Sequence, residues 1–240
     1  MPAKDGMAET SNVIVTLAPG NEKYRTDGRC DGSNDIFDND AWESKSYEDD
    51  KNYIGNIISQ NGRVYREEFR FPKEYWEPVL ILGDAMIDVH IPGYSKLPEK
   101  ECLDAYNYAI SFFREYFPEF DFKGFMCSSW LIEPNLKFVL PPSSNILKFQ
   151  SYYHPYCSSK GDINTIDNVF LLPHGSSLDN APRETSLQRA ILDHIKAGWR
   201  FDGAWGYFMT DELMQRLELC KKVQKSTKNT IKKGIEKWQR

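Results

Sequence analysis

A histidine near the end of "AMIDVHI" and a cysteine inside "KGFMCSSWLIE" are the side chains best suited to acid–base or nucleophilic chemistry. His90 could serve as a general base, because an imidazole titrates near neutral pH. Its plain alternative is a buried ring hydrogen-bonded to the loop that follows. Cys127 next to a histidine could act as a nucleophile; by itself it reads as a small apolar filler. Strand alternation sets Met86, Asp88 and His90 on one face, with Ile87, Val89 and Ile91 on the other. It likewise separates Cys127, Ser129 and Leu131 from Ser128, Trp130 and Ile132. A cysteine hydrolase built on Cys127 and His90 would lack an evident third group to orient the imidazole.

Two further stretches carry polar groups at helix starts. In "PPSSNILKFQ", Pro141 and Pro142 fix the chain path, and Ser143, Ser144 and Asn145 open a helix that ends near Gln150. Free amides at such a start suit an acyl carbonyl or a phosphate; the alternative is an ordinary N-cap worth about 1 kcal/mol. In "RETSLQR", Arg183 and Arg189 could hold a carboxylate or phosphate. Equally, Thr185 or Ser186 caps the helix while the arginines pair with Glu184 and Asp193.

The elements that must position these residues follow from pattern. "YIGNIISQ" and "RVYREEFRF" flank Asn61-Gly62, which predicts a hairpin with a type I′ turn. "PVLIL" and "AMIDVHI" around Gly83-Asp84 read as a second antiparallel pair. Apolar residues at Leu103, Tyr106, Ile110, Phe113 and Phe117 mark the buried face of a helix from Pro98 to about Tyr116, with Pro98 at its first position and Glu99 and Glu101 in its first turn. "KGFMCSSWLIE" is a central strand stopped by Pro134, and "NLKFVLPPSSNILKFQ" a helical turn, a loop and a helix start. "SYYHPYC", "NVFLLP" and "RFDGAWGYFM" read as further strands, and "TSLQRAILDHIKAG" as an amphipathic helix closed by Gly198. A last helix runs from Asp211 to Trp238. The order gives an α/β or α+β fold with a mixed, mostly antiparallel sheet and helices packed on it. No dinucleotide fingerprint, phosphate loop or H-E-x-x-H appears.

Composition narrows the class. The chain has 240 residues, 27% charged and 14% aromatic, with a net charge of -5, which argues against nucleic acid as a partner of the whole chain. No apolar run approaches the roughly 20 residues of a membrane span, and the first residues lack a secretory pattern. Five cysteines without C-x-x-C pairing suit free thiols in a reducing cytoplasm, and no metal site is expected. Residues 1–52 are acidic and poor in apolar groups and read as a weakly ordered extension, apart from "NVIVTLAP", which could dock as a strand. The main domain then spans residues 53–210, and residues 211–240 form a helix with a basic end. Its last 20 residues hold eight Lys/Arg against one Glu, read as a solvated helix end complementing its own dipole.

Three ordered blocks, "VHIPGYSKLPEKECLDAYNYAISFFREYFPE", "FMCSSWLIEPNLKFVLPPSSNILKFQ" and "PRETSLQRAILDHIKAG", resemble the GNAT-like C-terminal domain of bacterial acyltransferase-domain proteins, within the GNAT N-acyltransferase superfamily. The resemblance spans roughly Gly62 to Phe208. In such proteins a helical domain usually precedes this one, and the first 60 residues here are too few and too polar for it. A separate chain could supply it, and the expected protein partners are a helical partner domain or a homo-oligomer.

The resemblance implies that strand four (Ala85–Ile91) and strand five (Lys123–Ile132) splay apart and admit the pantetheine arm of acyl-CoA, the co-substrate. Direct transfer from thioester to a small-molecule or peptide amine would follow. It implies Tyr152 or Tyr153 as proton donor to the leaving thiolate, with strand alternation turning one of them inward. Ser128 and Trp130 would line the gap, and Ser144, Asn145 and Gln150 would overlook its mouth. Gly93 and Lys96 lie on the loop that would meet the CoA diphosphate, where Glu99 and Glu101 would oppose it by about 1 kcal/mol each. The competing reading is a catalytically silent module that uses the same cleft for binding.

Overall fold

The computed structural model describes residues 13–33, 36–93, 95–158, 165–173 and 176–218, with only the backbone of 157 and 158. Two antiparallel-rich sheets and a small ribbon make up the fold. In the first sheet β5 (Asn52–Ile58) is central. It pairs along one edge with β6 (Val64–Pro72) and along the other with both β1 (Thr16–Leu17) and β4 (Ser46–Glu48), all antiparallel. β2 (Lys23–Tyr24) and β3 (Trp42–Glu43) form the ribbon.

The expected β5–β6 hairpin is present with a different turn. Ser59 N–H donates to Arg63 O and Gly62 N–H to Ser59 O, both at 2.8 Å. Gly62 has φ 68°, while Asn61 stays out of the left-handed region. One positive-φ residue after a type I turn makes a three-residue loop, so Asn-Gly serves here as a G1 bulge. Farther along, the ladder slips between Asn56 and Ile58. Buried Asn56 fills the break: its Oδ1 accepts from Lys45 N–H, and its Nδ2 faces the carbonyls of Tyr65, Arg66 and Glu67.

The second sheet has the order β7 (Ala85–Asp88), β8 (Phe122–Ser129), β10 (Ala204–Met209), β9 (His154–Ser158). α1 (Glu99–Tyr116) crosses over between β7 and β8 and makes them parallel; the other pairs are antiparallel. α1 lays Tyr106 and Ile110 on the sheet face that carries Ile87, Phe125, Cys127 and Phe208. Phe125 and Phe208 stack at 5.0 Å, and Tyr106 meets Phe208 edge-on at 5.1 Å. Each such pair contributes about 0.5–1.5 kcal/mol beyond its buried area. α2 (Asn145–Gln150), α3 (Thr165–Phe170), α4 (Ser186–Lys196) and α5 (residues 210–218) complete the fold.

Several expectations are corrected. "NVIVTLAP" supplies β1, docked on β5 as expected, but residues 20–51, read as weakly ordered, carry β2, β3 and β4, and Tyr24, Cys30 and Trp42 are buried with Ala18, Ile58 and Val64. The segment completes a core it shares with later strands, which a local count of apolar residues misses. The boundary drawn at 52/53 falls at the start of β5. "PVLIL" forms no strand, and Val79, Ile81 and Leu82 are exposed. A run with no alternation gives no choice of face, and β7 finds its partner through the α1 crossover instead. "NVFLLP" lies partly in α3, a helix and not a strand, packed on Leu136, Ile191 and Phe201. Pro98 is the N-cap of α1, with extended backbone, one position before the helix. The basic tail beyond 218 lies outside the described residues.

Candidate functional site

The site is built where β7 and β8 part. Their register runs from Ala85↔Phe122 to Asp88↔Met126, and Val89 N–H donates to Met126 O at 2.8 Å. Among the described residues no backbone bond joins the chain after Val89 to β8, although β8 continues to Ser129. The gap therefore opens beside Cys127, Ser128 and Ser129 on one side and His90 and Ile91 on the other.

His90 stands at that opening with its side chain 90% exposed, and its Nε2 lies 3.0 Å from Asp88 Oδ2. The buried imidazole considered from sequence is not what forms. Asp88 is a site residue that the sequence reading did not single out, although alternation had put it on the His90 face. Cys127 points the other way, into the core with Tyr106 and Tyr153. Strand alternation thus separates Cys127 from His90, and the structure does not bring them together. Burial pushes the Cys127 thiol up to about 12, and the Asp88 charge adds to this. A thiol so placed is a filler and a poor nucleophile.

Ser128 lies on the Met126 side, opposite Trp205; its Oγ is buried and has no hydrogen-bond partner among the described residues. β8 stops at Ser129, whose Oγ accepts from Leu131 N–H and starts a 3₁₀ turn, Trp130–Ile132. Trp130 is therefore no longer governed by strand alternation, and its half-buried ring packs against two cores. A second 3₁₀ turn, Pro134–Phe138, follows at once.

α2 is stitched to both rims of the opening. Ser144 is its N-cap, accepting from Ile146 N–H. Asn145 Nδ2 donates to Lys96 O at 3.0 Å and holds the loop that precedes α1. Gln150 Nε2 donates to Leu131 O and Glu133 O at 2.7 and 2.9 Å and ties down the 3₁₀ turns. Gly93 has open space where a side chain would project, and Lys96 is exposed.

Tyr152 and Tyr153 are both buried. They follow α2 in a turn and not in a strand, so alternation does not divide them, contrary to expectation. Tyr153 and Tyr106 share a hydrogen bond at 2.9 Å inside the core, and burial raises both phenols. Tyr152 instead reaches outward: its OH donates to Glu99 Oε1 at 3.2 Å, under the Arg216 guanidinium 5.0 Å from its ring.

Arg183 and Arg189 are not part of this opening. Arg183 pairs with Asp193 at 2.9 Å, and Arg189 donates to the carbonyls of Arg183 and Glu184. Thr185 and Gln188 form a reciprocal capping box on α4, which packs on Leu136 and Phe201. Another group missed in the sequence is Glu133, 3% exposed. Burial, with a lesser push from Asp202, raises its carboxyl to about 8, while Asn135 N–H and Arg29 pull it down. No composition signal marks it, because a Glu before Pro134 looks like ordinary loop.

Among the described residues no cluster of three or more His, Cys, Asp or Glu could hold a metal ion, and no helix is long and apolar enough to cross a membrane.

A sheet with a strand–helix–strand crossover between its parallel pair, and with that pair parting after Val89, makes a mixed α+β fold. The chain belongs to the family described as the GNAT-like C-terminal domain, whose model matches residues 36–208. Among solved structures it is similar to an acyltransferase in complex with CoA and 10C-teicoplanin, at 22% identity and a TM-score of 0.46. It is also similar to an acyltransferase in complex with decanoyl-CoA and teicoplanin, at 23% and 0.46, and to one in complex with decanoyl-CoA, at 20% and 0.45. Each likeness covers 66% of this chain and 46% of the other, so the chain spans less than half the length of these proteins. No curated protein matches the sequence. The family assignment rests on the family model alone.

Proposed function

We propose that this chain carries out acyl transfer from a CoA thioester to an amine, with the β7–β8 opening as the donor slot and His90 as general base. The observation that carries the reading is the end of pairing at Val89–Met126 while β8 runs on to Ser129. Backbone N–H and C=O groups past a parted pair are unsatisfied and suit an extended amide-containing arm such as pantetheine. CoA supplies the acyl group in activated, thioester form. On the chain's side, the Lys96 loop and the start of α1 border the slot. His90 takes the amine proton, and Tyr152 is the better placed of the two tyrosines to give one, since its OH lies at the start of α1 and not in the core.

The fit to the arm is better than the fit to a diphosphate. No side chain caps the start of α1, which leaves amides free for an anion, but Glu99 and Glu101 occupy its first turn. Glu99 is offset by Lys148, 4.0 Å away, and by the Tyr152 hydroxyl. That acidic turn supports a second reading, a module that binds through the same opening without catalysis. Free thiols at Cys30, Cys102 and Cys127 suit a reducing, cytoplasmic setting for either.

Thermal shift with CoA, acetyl-CoA and decanoyl-CoA separates the readings. Binding at a hundredfold excess over Kd stabilises by about 2.7 kcal/mol. Thiol release with an amine present, abolished in His90→Ala, is expected of the enzyme. Binding without thiol release selects the silent module, and no stabilisation by any of the three ligands overturns the donor assignment.

A further inference from the structure

We infer that the open edge of β6 is a self-association site: a second copy of this chain adds its own β6 antiparallel to it, with Phe69 on the two-fold axis and Glu68 of each copy against Arg70 of the other.

β6 is an edge strand. Among the described residues it pairs only with β5, and its side chains from Tyr65 to Arg70 are exposed. Which of its backbone groups face outward follows from the ladder. Asn56 N–H donates to Lys45 O and Asn56 O accepts from Ala18 N–H, so Asn56 turns its backbone away from β6. In an antiparallel pair, residues in register turn either both toward each other or both away. Glu68 and Arg70, in register with Asn56 and Ile54, therefore present their N–H and C=O groups at the open edge. At one end the strand is covered by Gly28, whose carbonyl accepts from Val64 N–H at 2.8 Å. At the other, Pro72 has no N–H and ends the ladder.

Charge selects the occupant. An edge guarded by one sign of charge repels a second copy; β6 instead sets Glu68 and Arg70 two positions apart with opposite signs. A two-fold axis must pass through a residue, because only outward-turned groups can meet across the new ladder. An axis through Arg66, Glu67, Glu68 or Arg70 would set a charged side chain against its own copy, which is destabilising. An axis through Phe69 avoids this. Glu68 and Arg70 of the two copies then exchange backbone bonds, and the two Phe69 rings form a non-hydrogen-bonded pair, the closer kind. Tyr65 lies 6.4 Å from Phe69 and lengthens the aromatic strip, and exposed Tyr75 follows just past the strand. Lys45 and Tyr47 hold the Glu68 carboxylate at 2.7 and 3.0 Å, and Asp49 holds Arg70 at 3.3 Å. Both charges are thus set in place before a second copy arrives, which lowers the cost of ordering them.

The test uses the whole chain. Sedimentation velocity at loading concentrations of roughly 1–100 μM brackets the micromolar Kd of a small interface, and wild type is expected to pass from monomer to dimer over that range. Glu68→Arg or Arg70→Glu alone brings like charges together and should raise Kd by about tenfold or more. The two changes combined restore the opposite pairing and the dimer. These side chains are exposed, so Tm should stay near wild type in all three. Phe69→Cys places two thiols in a pair whose Cα atoms are about 4.5 Å apart, within disulfide reach. Mild oxidation is expected to join the two substituted positions, as read by peptide mapping. Tyr65→Cys, far from its own copy in this register, should not cross-link. A wild-type protein that stays monomeric throughout overturns the inference and leaves the edge to a strand of another protein. A dimer that both single charge changes leave intact also overturns it, because the contact then lies elsewhere.

Discussion

Arg29 and Asp202 stand 173 positions apart and form an ion pair in the interior, with side chains 7% and 6% exposed. Arg29 follows β2 and Asp202 precedes β10, so the pair fastens the N-terminal strands to the second sheet. Removing one partner strands a buried charge, which costs about 3–5 kcal/mol. Arg29→Ala is expected to lower urea-denaturation stability by that order. Arg29→Met combined with Asp202→Leu should cost less than the sum of the two single changes. Simple additivity would show that the pair does not couple the two parts.

Glu133 lies beside this pair and gives a pH dependence of known sign. Its native carboxyl is raised from 4.5 to about 8, so between those values the folded state holds a proton that the unfolded state has lost. Stability from this group therefore falls as pH rises from about 4.5 towards 8 and levels off above. Glu133→Gln removes the ionisation while keeping the shape. Its Tm should match wild type near pH 4.5 and exceed it by a few degrees near pH 8.5, where about 1 kcal/mol corresponds to roughly 2–4 °C. Parallel pH profiles for the two proteins would refute this.

The Tyr106–Tyr153 hydroxyl pair is closed off from solvent. Tyr106→Phe or Tyr153→Phe leaves one buried hydroxyl unmatched, at a cost of about 1–3 kcal/mol. The double change removes both and should cost no more than either single one. A chemical-denaturation double-mutant cycle reads this directly.

Two glycines should respond in opposite ways. A Cβ on Gly124 would sit 2.1 Å from the Phe208 carbonyl oxygen, a backbone atom of the neighbouring strand. Gly124→Ala is expected to force β8 and β10 apart and to abolish soluble expression or lower Tm sharply. Gly93 meets nothing within 4 Å, so Gly93→Ala should stay within about 0.5 kcal/mol of wild type.

Cys127 offers a direct check on nucleophilic chemistry. Buried, with its thiol raised to about 12, it should resist iodoacetamide in the native protein at pH 8 and react only after unfolding. Rapid native labelling of Cys127, located by peptide mass mapping, would reopen the hydrolase reading.

Much of the fold was legible from local pattern. The hairpin around Gly62, the apolar stripe of α1, the Thr185 cap of α4 and the Ser144 cap of α2 each depend on residues within one or two turns of one another. The failures are of a different kind. "NVFLLP" and "PVLIL" are apolar runs without a period, and only their neighbours decide whether they become helix, strand or loop. Residues 20–51 looked too polar to fold because their apolar groups complete a core supplied by Ile58 and Val64. Of the candidate site, His90 was readable by type and Ser144 by spacing. Glu133 was not, because burial by distant segments makes it unusual.

By itself the sequence determined the family, the helices α1, α2 and α4 and the faces on which His90 and Cys127 lie, since strand and helix periods are properties of a few consecutive residues. Only the tertiary structure decided that β7 and β8 part after Val89, that His90 stands exposed beside Asp88 at that point, and that Arg183 and Arg189 belong to another part of the molecule. Those outcomes depend on which strands meet and where their ladder ends, and they are set by packing between segments far apart in the chain.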